Sequence, residues 1–119
     1  MPQLRLEYSA NLDNQLDSRS TLMRLNTSLI DSGLFKEIDI KSRTFRCEDF
    51  LIGRFEEGHA FAHLQIIILA GREMSVKADL STRMLAALAE CITPLEGVQI
   101  QLGVQILDND RECYMKRVV

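Results

Sequence analysis

The sequence opens on MPQLRLEYS (residues 1–9), an alternating stretch that predicts the first strand of the fold. Pro2 stands at the head of this strand, where a proline costs no ladder hydrogen bond. Behind an initiator methionine, Pro2 would also become an N-terminal secondary amine once Met1 is removed. Such an amine can serve as a general base if its pKa lies near neutrality. Both interpretations of Pro2, a strand-starting residue and a base, stay open at this point. The apolar residues that define one side of the strand are Leu4, Leu6 and Tyr8.

The first strand begins a strand–helix–strand unit that covers about residues 2–47. Asn11 and Asp13 are residues that start helices, and Gly33 suits the left-handed position that ends one. We therefore expect a helix that extends from this start through Ser32. Its broad apolar stripe is formed by Leu16, Ser20, Leu22, Met23, Leu25, Leu29 and Ile30.

A second strand is expected from about Ile38 to Cys47. The alternation predicts that Ile38 and Ile40 lie on its buried side and that Lys41 and Arg43 lie on the other. This strand would complete the first half of the chain.

The second half, about residues 60–107, repeats the same order of elements. Residues 48–58 form the connection to it, with room for a short edge strand. The isoleucine-rich stretch from Phe61 to Ala70 predicts a central strand, and Ser75 is a suitable N-cap for the next helix. That helix, from Val76 to about Thr93, should bury Leu80, Met84, Leu85, Leu88 and either Cys91 or Ile92.

Val98–Leu107 is the most regular alternating stretch in the chain and predicts the last strand. A strand–helix–strand unit joins parallel strands by a right-handed crossover. Residues 1–119 are therefore expected to form a single α+β domain with an internal repeat. Its four-stranded mixed sheet would carry two helices on one face. Because the opposite face mixes polar residues with Phe61, Ile67 and Leu69, we expect another subunit to cover it.

Composition excludes several classes of partner. A length of 119 residues suits one domain, and 46% hydrophobic with 26% charged residues is ordinary for a globular protein. The net charge of -3 argues against nucleic-acid binding. The longest apolar run, Ile66–Ala70, is far shorter than the roughly 20 residues of a membrane span. Arg5, Glu7 and Asp13 interrupt any secretory signal.

The cysteines and histidines give no sign of a metal or disulfide framework. Cys47, Cys91 and Cys113 are odd in number and lack a CxxC spacing, which predicts reduced thiols in a cytoplasmic protein. His59 and His63 would lie about 13 Å apart on a strand, too far to share one ion. No metal site is expected.

Several basic residues could accompany Pro2 in a site. Arg72 follows a central strand at the entry to a helix, where backbone N–H groups and the helix dipole favour an anion. Lys41 and Arg43 lie on the strand expected beside the first. Cations or an apolar pocket near Pro2 would lower the pKa of its amine. The alternative, which stays open, is that Arg72 is an ordinary surface arginine at a turn and that Lys41 and Arg43 lie on a solvated strand face. The sequence contains no GxSxG, P-loop, GxGxxG or HExxH motif that would indicate a different catalytic site.

Several stretches resemble one known family. Pro2 with residues 4–12 (LRLEYSANL), residues 40–43 (IKSR), residues 60–64 (AFAHL) and residues 68–72 (ILAGR) are similar to 5-carboxymethyl-2-hydroxymuconate delta-isomerase, of the tautomerase superfamily. The matches keep their order and spacing from residue 2 to about residue 107.

The resemblance implies a homotrimer with the sheets inside and the helices outside. It also implies a cofactor-free 1,3-proton shift on a small unsaturated carboxylate such as 5-carboxymethyl-2-hydroxymuconate, in aromatic-compound breakdown. On this sequence, Pro2 would be the catalytic base and Arg72 the leading carboxylate-binding residue, followed by Arg43 and Lys41. The resemblance implies no cofactor, while the charge and the short apolar runs noted above predict no nucleic-acid and no membrane partner.

Two positions depart from the family pattern. Gln3 stands where members often carry histidine, and Lys41 stands where members carry arginine. Lysine cannot make the same forked contact, so the substrate could differ. The alternatives are a non-catalytic trimeric module that binds a small molecule or serves assembly, and another chemistry of the superfamily such as decarboxylation or hydration.

Overall fold

The computed structural model describes residues 1–119 as a four-stranded mixed sheet of order β2-β1-β3-β4 with two α-helices. β1 pairs in parallel with β2, β3 pairs in parallel with β4, and β1 and β3 are antiparallel. The predicted mixed sheet is confirmed. The elements are β1 (Gln3–Ser9), α1 (Ser18–Asp31), β2 (Lys41–Cys47), β3 (His59–Leu69), α2 (Met74–Glu90) and β4 (Gln99–Asn109).

Both helices pack on the same face of the sheet, as predicted. One row of side chains from β1 and β3 is fully buried there, and the helices contribute to the same apolar cluster. Because burial of apolar surface is the main favourable term in folding, this cluster decides which way each strand faces. Neither helix combines the length and the apolar character needed to cross a membrane. The cluster includes Leu4, Leu6, Leu64, Ile66, Ile68, Leu25, Leu29, Leu80, Met84 and Leu88.

The opposite face of the sheet carries no helix and mixes polar with apolar side chains, as the alternation predicts. Gln3 stands opposite Ile67 in the β1–β3 register, and Glu7 stands opposite His63. Phe61, Ile67 and Leu69 are half-buried on this face.

The first helix starts later than predicted and buries a different stripe. Asn11 and Asp13 do not start α1, because the Asn11 amide donates to the carbonyl of His59 (2.8 Å) and Asp13 pairs with Arg46 (2.8 Å). Asp17 caps the helix instead, by accepting from the amide of Ser20 at 2.9 Å. The predicted stripe is wrong in part: Met23 is 60% exposed and Ile30 is 36% exposed. Thr21 and Ser28 are buried in their place.

The second strand also starts later, and Ile38 is not buried. A 3-10 turn at Glu37–Asp39 precedes β2 and leaves Ile38 83% exposed, whereas Ile40 is buried as predicted. The turn interrupts the alternation, so the two isoleucines cannot share one face. Residues 48–58 hold an isolated bridge between Ile52 and Phe55 rather than an edge strand.

The second helix begins at Met74, one residue before the predicted cap. Its N-cap is Glu73, whose side chain makes no capping hydrogen bond. Leu80, Met84 and Leu88 are buried as predicted, but Leu85 is 41% exposed, which corrects the predicted stripe.

Leu6→Ala should lower the free energy of unfolding by about 2–5 kcal/mol, because it leaves a cavity in a fully buried cluster. Met23→Ala removes a comparable side chain from the exposed side of α1 and should change stability by at most about 0.5 kcal/mol. Chemical denaturation of both variants measures the difference. Equal losses would show that the packing described for α1 is wrong.

Candidate functional site

A cavity of about 230 Å³ lies at the edge of the sheet where β1 begins and β3 and β4 end. The chain start, the α1–β2 connection and the segments that follow β3 and β4 all contribute to it. Cationic side chains outnumber acidic ones in its wall, so the cavity suits an anion. It is lined by Met1, Leu34, Phe35, Lys36, Asp39, Leu69, Arg72 and Arg111.

Pro2 lies beside this cavity through its bond to Met1. The Pro2 ring is fully buried, and its carbonyl accepts a hydrogen bond from the backbone amide of Lys41 at 3.3 Å. The residue attached to the Pro2 nitrogen, Met1, is part of the cavity wall. In the full chain this nitrogen belongs to a peptide bond and has no basic lone pair.

Arg72 lies in the segment between β3 and α2, as predicted, and lines the cavity. Its Nη2 donates to the carbonyl of Leu34 at 3.0 Å, and its guanidinium lies 5.0 Å from the ring centroid of Phe35. It forms no ion pair with a carboxylate. The guanidinium is therefore held in position by one donor while its others stay available to a ligand. No residue of α2 lines the cavity. The expected contribution of the α2 dipole to anion binding beside Arg72 therefore stays a prediction.

Lys41 and Arg43 lie on β2 beside β1, but neither lines the cavity. Lys41 Nζ donates to the carbonyl of Asp39 at 3.1 Å. Arg43 lies on the open face of the sheet, where its guanidinium donates to the side-chain oxygen of Gln3. The structure thus brings Met1, Pro2 and Arg72 together and leaves Arg43 apart from them.

The sequence interpretation missed Lys36, Asp39 and Arg111. Arg111 could have been found, because parallel strands end at the same edge of a sheet and Asn109 at the end of β4 stands beside Leu69. Lys36 and Asp39 lie in the α1–β2 connection, which showed no pattern to place them.

Asp39 is the one acidic residue of the cavity wall, and it is paired with Lys116 of the C-terminal segment at 2.5 Å. The hydrogen bond from Lys116 lowers the pKa of the Asp39 carboxyl below its ordinary value. Asp39 therefore carries a negative charge at neutral pH that is balanced locally by Lys116.

The environment of the chain start lowers the pKa of the Met1 amine below its ordinary value. Burial is the largest cause of the lowered pKa of the Met1 amine, followed by the positive charge of Lys41. Lys116 acts in the same direction, whereas Asp39 opposes it. Burial removes water from the protonated amine, and the two lysines repel its positive charge, whereas the negative charge of Asp39 stabilises it.

No other part of the molecule assembles comparable chemistry. His63 Nε2 lies 3.3 Å from the side-chain oxygen of Gln105 on the open face. Cys47, Cys91 and Cys113 are free thiols. No three His, Cys, Asp or Glu residues are grouped so that they could hold a metal ion.

The family model described as 5-carboxymethyl-2-hydroxymuconate isomerase matches residues 2–118. The structure is similar to a 5-carboxymethyl-2-hydroxymuconate isomerase from Deinococcus radiodurans R1, with a TM-score of 0.84 and 25% identity, covering 98% of this chain and 88% of that chain. A 5-carboxymethyl-2-hydroxymuconate delta-isomerase gives a TM-score of 0.84 and 22% identity, covering 100% and 89%. No curated protein sequence gives a significant match.

A more distant likeness concerns the fold alone. A fused 4-OT wild-type symmetric trimer gives a TM-score of 0.72 and 14% identity, covering 97% of this chain and 93% of that chain. The family match extends over nearly the whole chain and includes Pro2, Arg72 and Arg111. The chain therefore belongs to the 5-carboxymethyl-2-hydroxymuconate isomerase family and is an isomerase.

Proposed function

We propose that the chain catalyses a cofactor-free 1,3-proton shift, of the enol–keto type, on a small unsaturated carboxylate such as 5-carboxymethyl-2-hydroxymuconate. The general base is the secondary amine of Pro2 after removal of Met1. The observation that carries this proposal is the Met1–Pro2 bond at a cavity whose wall holds Arg72 and Arg111 without carboxylate partners.

The proposed reaction needs only a base that can accept a proton and return it. The Pro2 nitrogen takes a proton from one end of the conjugated system, the double bond shifts, and the same proton is delivered to the other end. One bond to hydrogen breaks and one forms, and no electron leaves the substrate. The burial and the Lys41 charge that lower the pKa of the Met1 amine would act on a Pro2 amine in the same way.

Basic residues supply the second requirement, which is to hold the carboxylate and stabilise charge that develops on the enolate. Arg72 is the leading residue for this role, since its guanidinium lines the cavity and has free donors. Lys41 and Arg43 are the second-rank candidates for binding the substrate carboxylate. Of these two, Lys41 is the one whose charge reaches the amine.

We further propose that the chain assembles as a homotrimer through the open face of its sheet. Phe61, Ile67 and Leu69 are only half-buried on this face, which carries no helix, and a second subunit would remove them from water. The fused 4-OT structure, which is a symmetric trimer, shares the fold.

Pro2→Ala should lower kcat on a 2-hydroxymuconate dienol by roughly 100-fold or more, because it replaces the proposed base. The variant should remain a trimer by analytical ultracentrifugation. Pro94→Ala changes the other proline of the chain and should leave kcat unaltered. Intact mass should show that Met1 is absent from the active protein. Undiminished turnover by Pro2→Ala, or full activity in protein that retains Met1, would remove Pro2 as the base.

Arg72→Gln should raise KM for the same substrate by about 10- to 100-fold, since a hydrogen bond to a charged group contributes roughly 1.5–3 kcal/mol. Arg54→Gln alters an exposed arginine outside the cavity and should behave as the unaltered protein. Steady-state kinetics on both variants gives the comparison. A KM that is the same in both would exclude Arg72 from carboxylate binding.

Lys116 and Asp39 should shift, in opposite directions, the pH at which the enzyme becomes active, in addition to the larger effects of burial and Lys41. The rising limb of kcat/KM against pH reports deprotonation of the base in the free enzyme. Lys116→Met removes a positive neighbour and leaves Asp39 unbalanced, so the pKa of the amine rises and the limb moves to higher pH. Asp39→Asn should move it to lower pH. Arg117→Met is the matched control, and identical limbs in all of these proteins would contradict the assignment.

A further inference from the structure

The segment that follows β4 brings a second guanidinium group to the cavity. β4 runs parallel to β3 and ends beside it, with Asn109 opposite Leu69. Arg111 therefore emerges at the edge from which Arg72 also emerges, and both side chains line the cavity. Two arginines far apart in sequence thus face one cavity.

Arg111 is held in place by the backbone of the turn after β3. Its Nε donates to the carbonyl of Ala70 at 2.7 Å. A Cβ atom at Gly71 would lie 3.6 Å from this Nε, and Gly71 adopts a φ of +125° that disfavours any other residue. The anchor uses the inner nitrogen of the guanidinium and leaves the outer pair of nitrogens free for a forked contact.

Arg72 and Arg111 are each anchored to a backbone carbonyl, Arg72 through Nη2 and Arg111 through Nε, and both lack a carboxylate partner. Each donates to one backbone carbonyl, that of Leu34 or that of Ala70. Neither forms an ion pair with a carboxylate. Asp39, the acidic residue of the wall, is paired with Lys116. The two guanidinium groups are therefore uncompensated positive charges in a chain whose net charge is -3.

The acidic neighbours of Arg111 do not occupy the cavity. Asp110 and Glu112 line a second depression, to which Arg111 and Cys113 also contribute, and neither lines the cavity that holds Arg72. Neither comes within ion-pair distance of the guanidinium. The outer nitrogens of Arg111 therefore form no ion pair with these two carboxylates.

We propose that Arg111 is a second carboxylate-binding residue of this cavity and the one that discriminates a substrate with two or more carboxylates from a monocarboxylate. Arg72 holds one carboxylate and Arg111 holds another. This inference assigns a specificity role to Arg111 and rests on the proposed function only for the claim that the bound polycarboxylate is a reactant.

Direct binding tests the selectivity without requiring turnover. The probes are adipate, a saturated dicarboxylate, and hexanoate, a monocarboxylate with the same number of carbons, each titrated calorimetrically into the full-length protein. The unaltered protein should bind adipate more tightly. Arg111→Gln should weaken adipate binding by about 10- to 100-fold and leave hexanoate within about 2-fold. Arg111→Lys should restore part of the difference, because lysine keeps the charge without the fork.

Two further variants make the outcome decisive. Arg117→Gln removes an exposed arginine from the same segment and should bind both probes as the unaltered protein does. Arg72→Gln should weaken both probes, since either must use the Arg72 contact. The proposal is overturned if the unaltered protein does not prefer adipate, or if Arg111→Gln weakens both probes equally. Failure of the proposed function would show separately, as no turnover of the dienol by the unaltered protein or as unchanged turnover in Pro2→Ala.

Discussion

The antiparallel pairing of β1 with β3 is the constraint on which the rest of the site depends. It places Gln3, at the start of β1, opposite Ile67, near the end of β3. The chain start therefore meets the turn that carries Arg72. The two parallel pairings extend this meeting, because β2 starts beside the start of β1 and β4 ends beside the end of β3. One edge of the sheet thus brings together the starts of β1 and β2 and the ends of β3 and β4.

Charge at this edge differs from that of the molecule as a whole. The chain is acidic overall, yet the cavity wall holds Lys36, Arg72 and Arg111 against Asp39 alone. The C-terminal segment contributes to this imbalance twice, through Arg111 in the wall and through Lys116, which balances Asp39. A low-dielectric wall strengthens such fields, so a small anion should be drawn to this edge rather than to the acidic surface elsewhere.

Alternation in the sequence predicted the sheet correctly because one face of each central strand is buried, and a shift by one residue would expose that whole row. The start of α1 was not predictable in the same way, since Asn11 and Asp13 can cap a helix but here bind His59 and Arg46, which are distant in sequence. Arg72 was found because it directly follows a strand. Arg111 was missed because its position depends on the pairing of β3 with β4, not on any local pattern.

The proposed base also fits the hydrogen-bond pattern of the sheet. Paired residues of β1 begin at Gln3, and Pro2 takes part only through its carbonyl, which accepts from Lys41. While Met1 is attached, the Pro2 nitrogen has no hydrogen to donate to a ladder. Removal of Met1 would therefore cost the sheet no hydrogen bond, while it would turn an amide nitrogen at the cavity wall into an amine. A proline immediately before this strand is thus compatible with both the sheet and the proposed chemistry. Any other residue would have a backbone N–H while Met1 is attached, and a primary rather than a secondary amine once Met1 is removed.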